Sequence, residues 1–347
     1  MPANYSVLEG AYLRDLLAQP QAVADTVAGL RALAPLPAAA LASRRIVLTG
    51  MGSSLHAQHP LQLRLVAAER TALMVETAEL IHSQSALLTA ETLIVVVSQS
   101  GRSAEIVQLL DLLATRPSRP FVVGVTNTAD SPLATRSDFV VPLHAGPEFS
   151  VSCKTYLATL VALEWLAAAL NRESLSDLLA TLEQAAPAVQ DYLASWRGHV
   201  AELTPLLHDL RLLFLAGRGA SLAAVGTGGL IIKESTRFHA EGMSAPSFRH
   251  GPLEMVNPGL FALVFSGSAS TAPLNEALVR DIRTAGGRAA LVGEEAPIAA
   301  LRLPRVPATL RPIFEMLPVQ MLSLAIAAMA GREPGRFEHA TKITVTA

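Results

Sequence analysis

The chain has 347 residues, enough for two domains of ordinary size, and a composition of 51% hydrophobic and 16% charged residues supplies a large core and excludes a disordered chain. A formal net charge of −2 with no basic runs argues against a nucleic-acid surface. Cys153 is the single cysteine, which rules out an intrachain disulfide and a cysteine-ligated zinc.

Met1-Pro2-Ala3-Asn4 opens without a basic and apolar leader, so no secretory signal is read and a cytoplasmic location is expected. Residues 13–33 then have helical spacing broken by Pro20, and Pro35-Leu36-Pro37 separates them from a first strand at Arg45-Ile46-Val47-Leu48-Thr49. That strand leads into Gly50-Met51-Gly52-Ser53-Ser54. A GxG after a strand is part of a dinucleotide fingerprint, with Glu76 near the end of the next strand as the ribose partner. The third glycine is missing, however, since Leu55 and Ala57 occupy its region. A tight turn explains the two glycines equally well, and Ser53 and Ser54 suit a sugar hydroxyl or a phosphate.

The next junction carries more chemistry. Leu93-Ile94-Val95-Val96-Val97 reads as a strand buried on both faces of a parallel sheet. It runs into Ser98-Gln99-Ser100-Gly101-Arg102-Ser103, after which a helical pattern begins at Ala104. A helix N-terminus offers free N–H groups and partial positive charge, so an oxygen-rich loop entering it suits phosphate. A serine-capped turn has the same composition, and this segment alone leaves both readings open.

The pattern then repeats. Arg211-Leu212-Leu213-Phe214-Leu215-Ala216 leads into Gly217-Arg218-Gly219-Ala220-Ser221. A second strand-to-loop junction follows 48 residues after Gly50, at Ser98, and 49 residues after Gly217, at Ser266. A further apolar run starts 23 residues beyond Ser98, at Phe121, and 22 residues beyond Ser266, at Arg288. Short apolar runs separated by helical stretches imply βαβ units, and equal spacing in both halves predicts two copies of one α/β domain. Residues 156–169 and 175–194 read as helices joining the halves, and 316–329 as a closing helix before an extended tail over 341–347. The charge-free run 316–331 is short for a membrane span and holds Pro318 and Gln320, while 255–275 contains Asn257-Pro258-Gly259. No membrane segment is expected.

The densest polar segment runs from Lys233-Glu234 through His239-Ala240-Glu241-Gly242. An ordinary charged helix face accounts for Lys233 and Glu234. Arg249-His250-Gly251-Pro252 instead places a histidine on a loop of fixed backbone, and with Glu254 close by it suits acid–base work at neutral pH. None of the nine histidines has metal-ligand spacing, so no metal is expected.

Taken together, these blocks resemble the tandem sugar isomerase (SIS) domain proteins, especially the isomerase half of glucosamine-6-phosphate synthase and its stand-alone relatives. The resemblance covers nearly the whole length. It rests on Leu17-Ala18-Gln19-Pro20, Gly52-Ser53-Ser54-Leu55-His56-Ala57, Ser98 to Ser103, and Gly146-Pro147-Glu148 with Lys154-Thr155-Tyr156. It continues through Gly217-Arg218-Gly219, Lys233-Glu234, His239-Ala240-Glu241, Arg249-His250-Gly251-Pro252 and Ala340-Thr341-Lys342.

The resemblance implies an α/β fold of two tandem SIS domains, each a doubly wound, flavodoxin-like parallel sheet flanked by helices. The boundaries it suggests are a helical segment over 1–43, a first domain with the phosphate loop over 44–195, and a second with the C-terminal tail over 196–347. It assigns Ser54, Ser98, Gln99, Ser100 and Ser103 to the substrate phosphate, with Gly52, Ser53 and Ser152 completing the substrate-binding set. Glu234 matches the carboxylate that moves a proton between C1 and C2 of the sugar. His250 matches the ring-opening histidine, donated by the neighbouring subunit, and Lys342 the lysine beside the sugar carbonyl. The chemistry is coherent, since a carboxylate shuttles the α-proton of an open-chain sugar and a cation steadies the enediolate.

Three departures qualify the match. The family pattern K-L-K-E stands here as Ile231-Ile232-Lys233-Glu234, the loop 148–154 is one residue shorter, and no glutaminase domain is expected ahead of the first strand. The expectation is a homodimeric enzyme with shared active sites, acting on a phosphorylated sugar or amino sugar, with no metal, no redox cofactor, no nucleic acid and no membrane. Isomerisation, deamination and fructosamine-6-phosphate deglycation share the enediol or enolamine step and stay open. A non-catalytic carbohydrate-phosphate sensor and a nicotinamide-dependent oxidoreductase are the competing classes.

Overall fold

A computed structural model of the chain describes residues 6–339, 341 and 342. The opening Met1-Pro2-Ala3-Asn4, Ala340 and residues 343–347 of the tail expected over 341–347 lie outside the described residues. The described residues divide into two compact units, and neither is continuous in sequence.

One unit comprises Gln19–Glu148, Lys154–Ala186 and the described residues from Glu338 to Lys342. Its sheet is formed by β1 (Arg45–Gly50), β2 (Thr71–Glu76), β3 (Thr92–Val97), β4 (Phe121–Thr126) and β5 (Phe139–Pro142). All pairings are parallel and the order is β2-β1-β3-β4-β5. β3, apolar from Leu93 to Val97, lies at the centre, buried along its whole length, as a strand covered on both faces must be. Its neighbour β1 pairs in register from Arg45 opposite Thr92 to Gly50 opposite Val97. The strand order reverses between β1 and β3, so the loops leaving these two strands open a crevice at the carboxyl end of the sheet. The helix Lys154–Asn171 is apolar around nearly its whole circumference and correspondingly buried. The helix Gln19–Arg31 packs against it.

The other unit comprises residues 6–18, Phe149–Cys153 and Pro187–Phe337. Its sheet, β6 (Leu212–Gly217), β7 (Ala240–Ser244), β8 (Leu260–Phe265) and β9 (Arg288–Val292), is again parallel, in the order β7-β6-β8-β9. That order repeats the first four strands of the larger sheet, so the duplication expected from spacing is present in topology. The closing helix spans Arg311–Met329, five residues earlier than its apolar run suggests, and continues through Pro318. Length and hydropathy alone would let it cross a membrane, but 94% of its apolar window is buried inside the protein, as befits a core helix.

The structure differs from the sequence reading at the sheet edges. The segment Ala240–Ser244, read from its charge as continuing a polar stretch, forms edge strand β7. An edge strand is paired on one side only and tolerates polar residues that a central strand does not. The break in the leading helix falls at Ala18, between helices Ala11–Leu17 and Gln19–Arg31, with Pro20 taken into the first turn of the second.

Candidate active site

The loop after β3 is built by its own side chains. The Ser98 hydroxyl accepts the Gly101 N–H at 3.1 Å, and the Ser100 hydroxyl accepts the Arg102 N–H at 3.2 Å. Both serines are buried. A hydroxyl that accepts a backbone N–H keeps its own proton to donate, so the pair presents O–H donors suited to an anion. Gly101 turns the loop at φ +61°, and a Cβ there would stand 2.2 Å from Ser131 Oγ. The Gln99 carbonyl accepts from the Asn127 N–H at 3.0 Å and the Thr126 hydroxyl at 3.2 Å, which ties the loop to the end of β4. Ser103 occupies the N-cap of the helix Ala104–Ala114, yet its hydroxyl makes no capping hydrogen bond. The first N–H groups of that helix therefore keep their donor capacity.

The loop after β1 lies alongside. Gly50 ends the strand where a Cβ would meet the Val97 carbonyl at 2.9 Å, so the two loops leave the sheet in close approach. Gly52 takes φ +51°, and Ser53 and Ser54, both half-buried, open the short helix Ser53–His56. Gln58 donates to the carbonyls of Thr49 and Ser54, each at 3.0 Å, and fixes this turn from below.

A cleft of about 860 Å³ opens in this unit. Gln99, Ser100 and Arg102 line one side, Asn127, Thr128 and His144 another, and Glu148 and Lys342 close it. His144 holds a positive φ of 51°, and Gly29 makes room for it: a Cβ on Gly29 would sit 2.1 Å from the imidazole Cδ2. Lys342 reaches the cleft from the C-terminal segment and donates to Glu148 Oε2 at 2.6 Å.

Of the residues singled out in the sequence, Gln99, Ser100 and Lys342 line this cleft, and Ser98 is buried in the same loop. Gly52, Ser53, Ser54 and Ser103 stand on the two converging loops. Glu234, His250 and Ser152 belong to the four-stranded unit. Glu234 is exposed near the C-terminal end of the helix Leu222–Thr236, and Ile231, at the position of the family lysine, is fully buried. His250 is exposed at the end of the helix Ala245–Arg249, beside Gly251 at φ 135° and next to Arg249, which is ion-paired with Asp281 at 2.6 Å. Ser152 is half-buried in the strap Phe149–Cys153, where the Ser150 hydroxyl donates to the Gly335 carbonyl at 2.7 Å.

Glu148 was missed as a functional residue. Its carboxylate accepts the Thr155 N–H at 3.1 Å and the Thr155 hydroxyl at 2.8 Å, as well as Lys342. The signal was available in a carboxylate directly after Gly146-Pro147, seven residues before a threonine that opens a helix. Asn127 and His144 had no such signal, since strand-end positions are brought to the cleft only by the sheet.

Two regions of the chain, residues 41–169 and 206–330, match the SIS domain model. The chain belongs to the SIS domain family. Within it, this SIS protein is 31% identical over 342 residues to the glutamine–fructose-6-phosphate aminotransferase [isomerizing] of Pyrococcus horikoshii, covering 95% of this chain and 56% of that protein. The chain thus spans about half the length of the curated relatives it matches. The fold is also that of the C-terminal domain of glucosamine-fructose-6-phosphate aminotransferase from Francisella tularensis, with a TM-score of 0.84 at 21% identity over 95% of this chain and 98% of that one. Glucosamine-6-phosphate deaminase from Thermotoga maritima superposes with a TM-score of 0.80 at 18% identity, over 97% and 100% of the two chains.

Proposed function

We propose that this SIS protein is a phosphosugar enzyme of the isomerase or aminosugar-phosphate deaminase type, acting on a hexose 6-phosphate or its amino derivative through an enediol or enolamine intermediate. The observation that carries the reading is the buried Ser98–Ser100 hydroxyl pair in the same unit as the Lys342 ammonium. The hydroxyls and the first turn of the helix Ala104–Ala114 take the phosphate ester, and the lysine balances the negative charge that develops on the carbonyl oxygen. Glu234 removes the C2 proton of the open-chain aldose as a base. The electron pair flows into the C1 carbonyl to give the enediolate; the O2 hydroxyl proton passes to O1, and return of the proton held by Glu234 to C1 as the C2 carbonyl forms gives the ketose. With nitrogen at C2, the same shift yields an imine that water converts to the ketone and free ammonia.

His250 opens the sugar ring, supplied across a homodimer as the family resemblance implies. The buried Ile231 favours deaminase or deglycase chemistry over synthase-like isomerisation, because the amine that relatives carry at this position is replaced by a side chain with no proton to give. The test is a panel of hexose 6-phosphates, their 2-amino forms and fructosamine 6-phosphates, scored for isomerised product or released amine. Wild type turns over at least one, and Glu234→Gln abolishes turnover while phosphate-ester binding survives. Full activity in Glu234→Gln removes the assigned base. Binding without turnover across the panel in wild type replaces the enzyme with a sensor.

A further inference from the structure

The chain carries 27 basic residues, of which only Lys154, Lys233 and Lys342 are lysines. Its ordinary surface cations are therefore arginines, and an amine that can exchange its proton is kept at three places alone. One of the three, Lys342, ends on Glu148. The Glu148 side chain is fully buried, whereas that of Lys342 is 24% exposed. Glu148 is itself fixed, because Thr155 offers it both a backbone N–H and a hydroxyl at the first turn of the long buried helix Lys154–Asn171. A buried carboxylate held on a rigid helix end is a fixed reference point, and a lysine on a C-terminal segment is not.

We propose that Glu148 is the positioning residue for Lys342. It draws the C-terminal segment to the five-stranded unit and sets the ammonium at the cleft before substrate arrives. The inference rests on the phosphosugar reading for its catalytic consequence, but the geometry of the pair does not. A charge-assisted bond to a buried carboxylate fixes both distance and direction, and a neutral amide at 148 keeps the Thr155 cap while losing the charge that holds the amine. Preorganising the cation before the enediolate forms is what makes it useful in the transition state.

The experiment uses the full chain in two arms. In the first, the protein without substrate is acetylated with a limiting reagent and the rate at each lysine is read by peptide mass spectrometry. Glu148→Gln makes Lys342 roughly tenfold faster to label, the loss expected when a charge-assisted bond is removed, while the exposed Lys233 labels at the wild-type rate. Unchanged labelling at Lys342 overturns the proposal. Should the Gln variant fail to fold, Glu148→Asp serves, since it keeps the charge but is one methylene too short to hold Thr155 and Lys342 together. Lys342 labelling must rise there too, and wild-type labelling in it overturns the proposal.

In the second arm, turnover is measured for Glu148→Gln, Lys342→Met and the double variant. A residue acting through Lys342 gives a double variant no slower than Lys342→Met alone, with kcat lowered and phosphate-ester affinity retained. Losses that multiply mean a merely structural Glu148 and overturn the proposal. If labelling rises but no panel substrate is turned over by wild type, the phosphosugar reading falls while the positioning of Lys342 by Glu148 stands.

Discussion

A methyl group at Gly101 would have to displace Ser131, whose hydroxyl caps the helix Pro132–Arg136 by accepting the Ala134 N–H. The backbone there has φ +61°, a region that costs an L-residue about 1–2 kcal/mol. Both effects act at the turn that directly follows the Ser98 and Ser100 hydroxyls and leads into the helix Ala104–Ala114. Gly101→Ala is therefore expected to weaken phosphate-ester binding roughly tenfold or more, with a drop in melting temperature from the same strain. Isothermal titration with a hexose 6-phosphate checks it, and wild-type affinity would mean that the loop does not hold the phosphate. Ser103 is a different case: with no cap bond to lose, Ser103→Ala changes binding without lowering stability.

At the scale of elements, the two sheets share one strand order but only part of its chemistry. The loop after β8 also turns through a glycine of positive φ, Gly267 at +70°, but one residue beyond Ser266, whereas Gly101 lies three residues beyond Ser98. There, however, Arg311 donates to the Gly267 carbonyl and pairs with Glu294, while Arg218 donates to Asn275, whose amide donates to the Ser266 carbonyl. The second loop is satisfied by its own arginines, and the first presents its hydroxyls. This difference was invisible in the sequence, because Arg218 and Arg311 lie 93 residues apart and meet the loop only through the fold. What spacing did carry was the duplication itself: β1, β3, β4, β6, β8 and β9 all lie on the apolar runs read beforehand. Central strands announce themselves by continuous burial; of the edge strands, β9 is apolar enough to be read, whereas β7 and β5 are not. The site was legible in the same measure, since the serine loop and Lys342 carry recognisable motifs, while Glu148, though it stands in one too, acquires its role from Thr155 and Lys342 around it.

One of the ion pairs that join helices of the five-stranded unit is partly buried. Arg64, on the helix His59–Ala67, donates to Glu164 at 2.6 Å and also binds Glu173. Glu164 is buried in the helix Lys154–Asn171, and burial pushes its carboxyl up to about 7 even though Arg64 pulls the other way. Desolvation thus outweighs the attraction, so the negative charge itself adds little. Glu164→Gln, which still accepts from Arg64, is expected to change stability by less than about 1 kcal/mol, whereas Glu164→Ala, which strands the guanidinium, costs about 3 kcal/mol. Urea unfolding of the two variants at neutral pH separates them, and equal losses would show that the charge is what matters.

For the whole molecule, the half-buried His59 and two buried carboxyls act on the pH dependence with opposite signs. His59 is held down to about 4, first by burial and then by the charge of His56. Between that value and 6.5 the unfolded chain binds the extra proton, so this group withdraws stability as pH falls. Glu315 goes the other way. It lies fully buried in the helix Arg311–Met329, and burial raises its carboxyl to about 7 against the opposing pull of the Ser221 hydroxyl, 2.8 Å away, and Arg311. Its second oxygen has no hydrogen-bond partner, so ionisation leaves a buried charge half-solvated. Between 4.5 and about 7 the folded state binds more protons than the unfolded one, and stability contributed by the neutral acid is lost as pH rises through that window. Glu164 adds a second contribution of the same sign. Two carboxyls outweigh one imidazole, so these groups together make the fold more stable near pH 5 than near pH 8. Glu315→Gln keeps the acceptor for Ser221 and removes the titration. Urea midpoints at both pH values, in wild type and variant, isolate the group because everything else cancels in the difference. Wild type should lose on the order of 2–3 kcal/mol more than the variant on going from pH 5 to pH 8, and parallel losses would mean that Glu315 is ionised in the folded protein throughout.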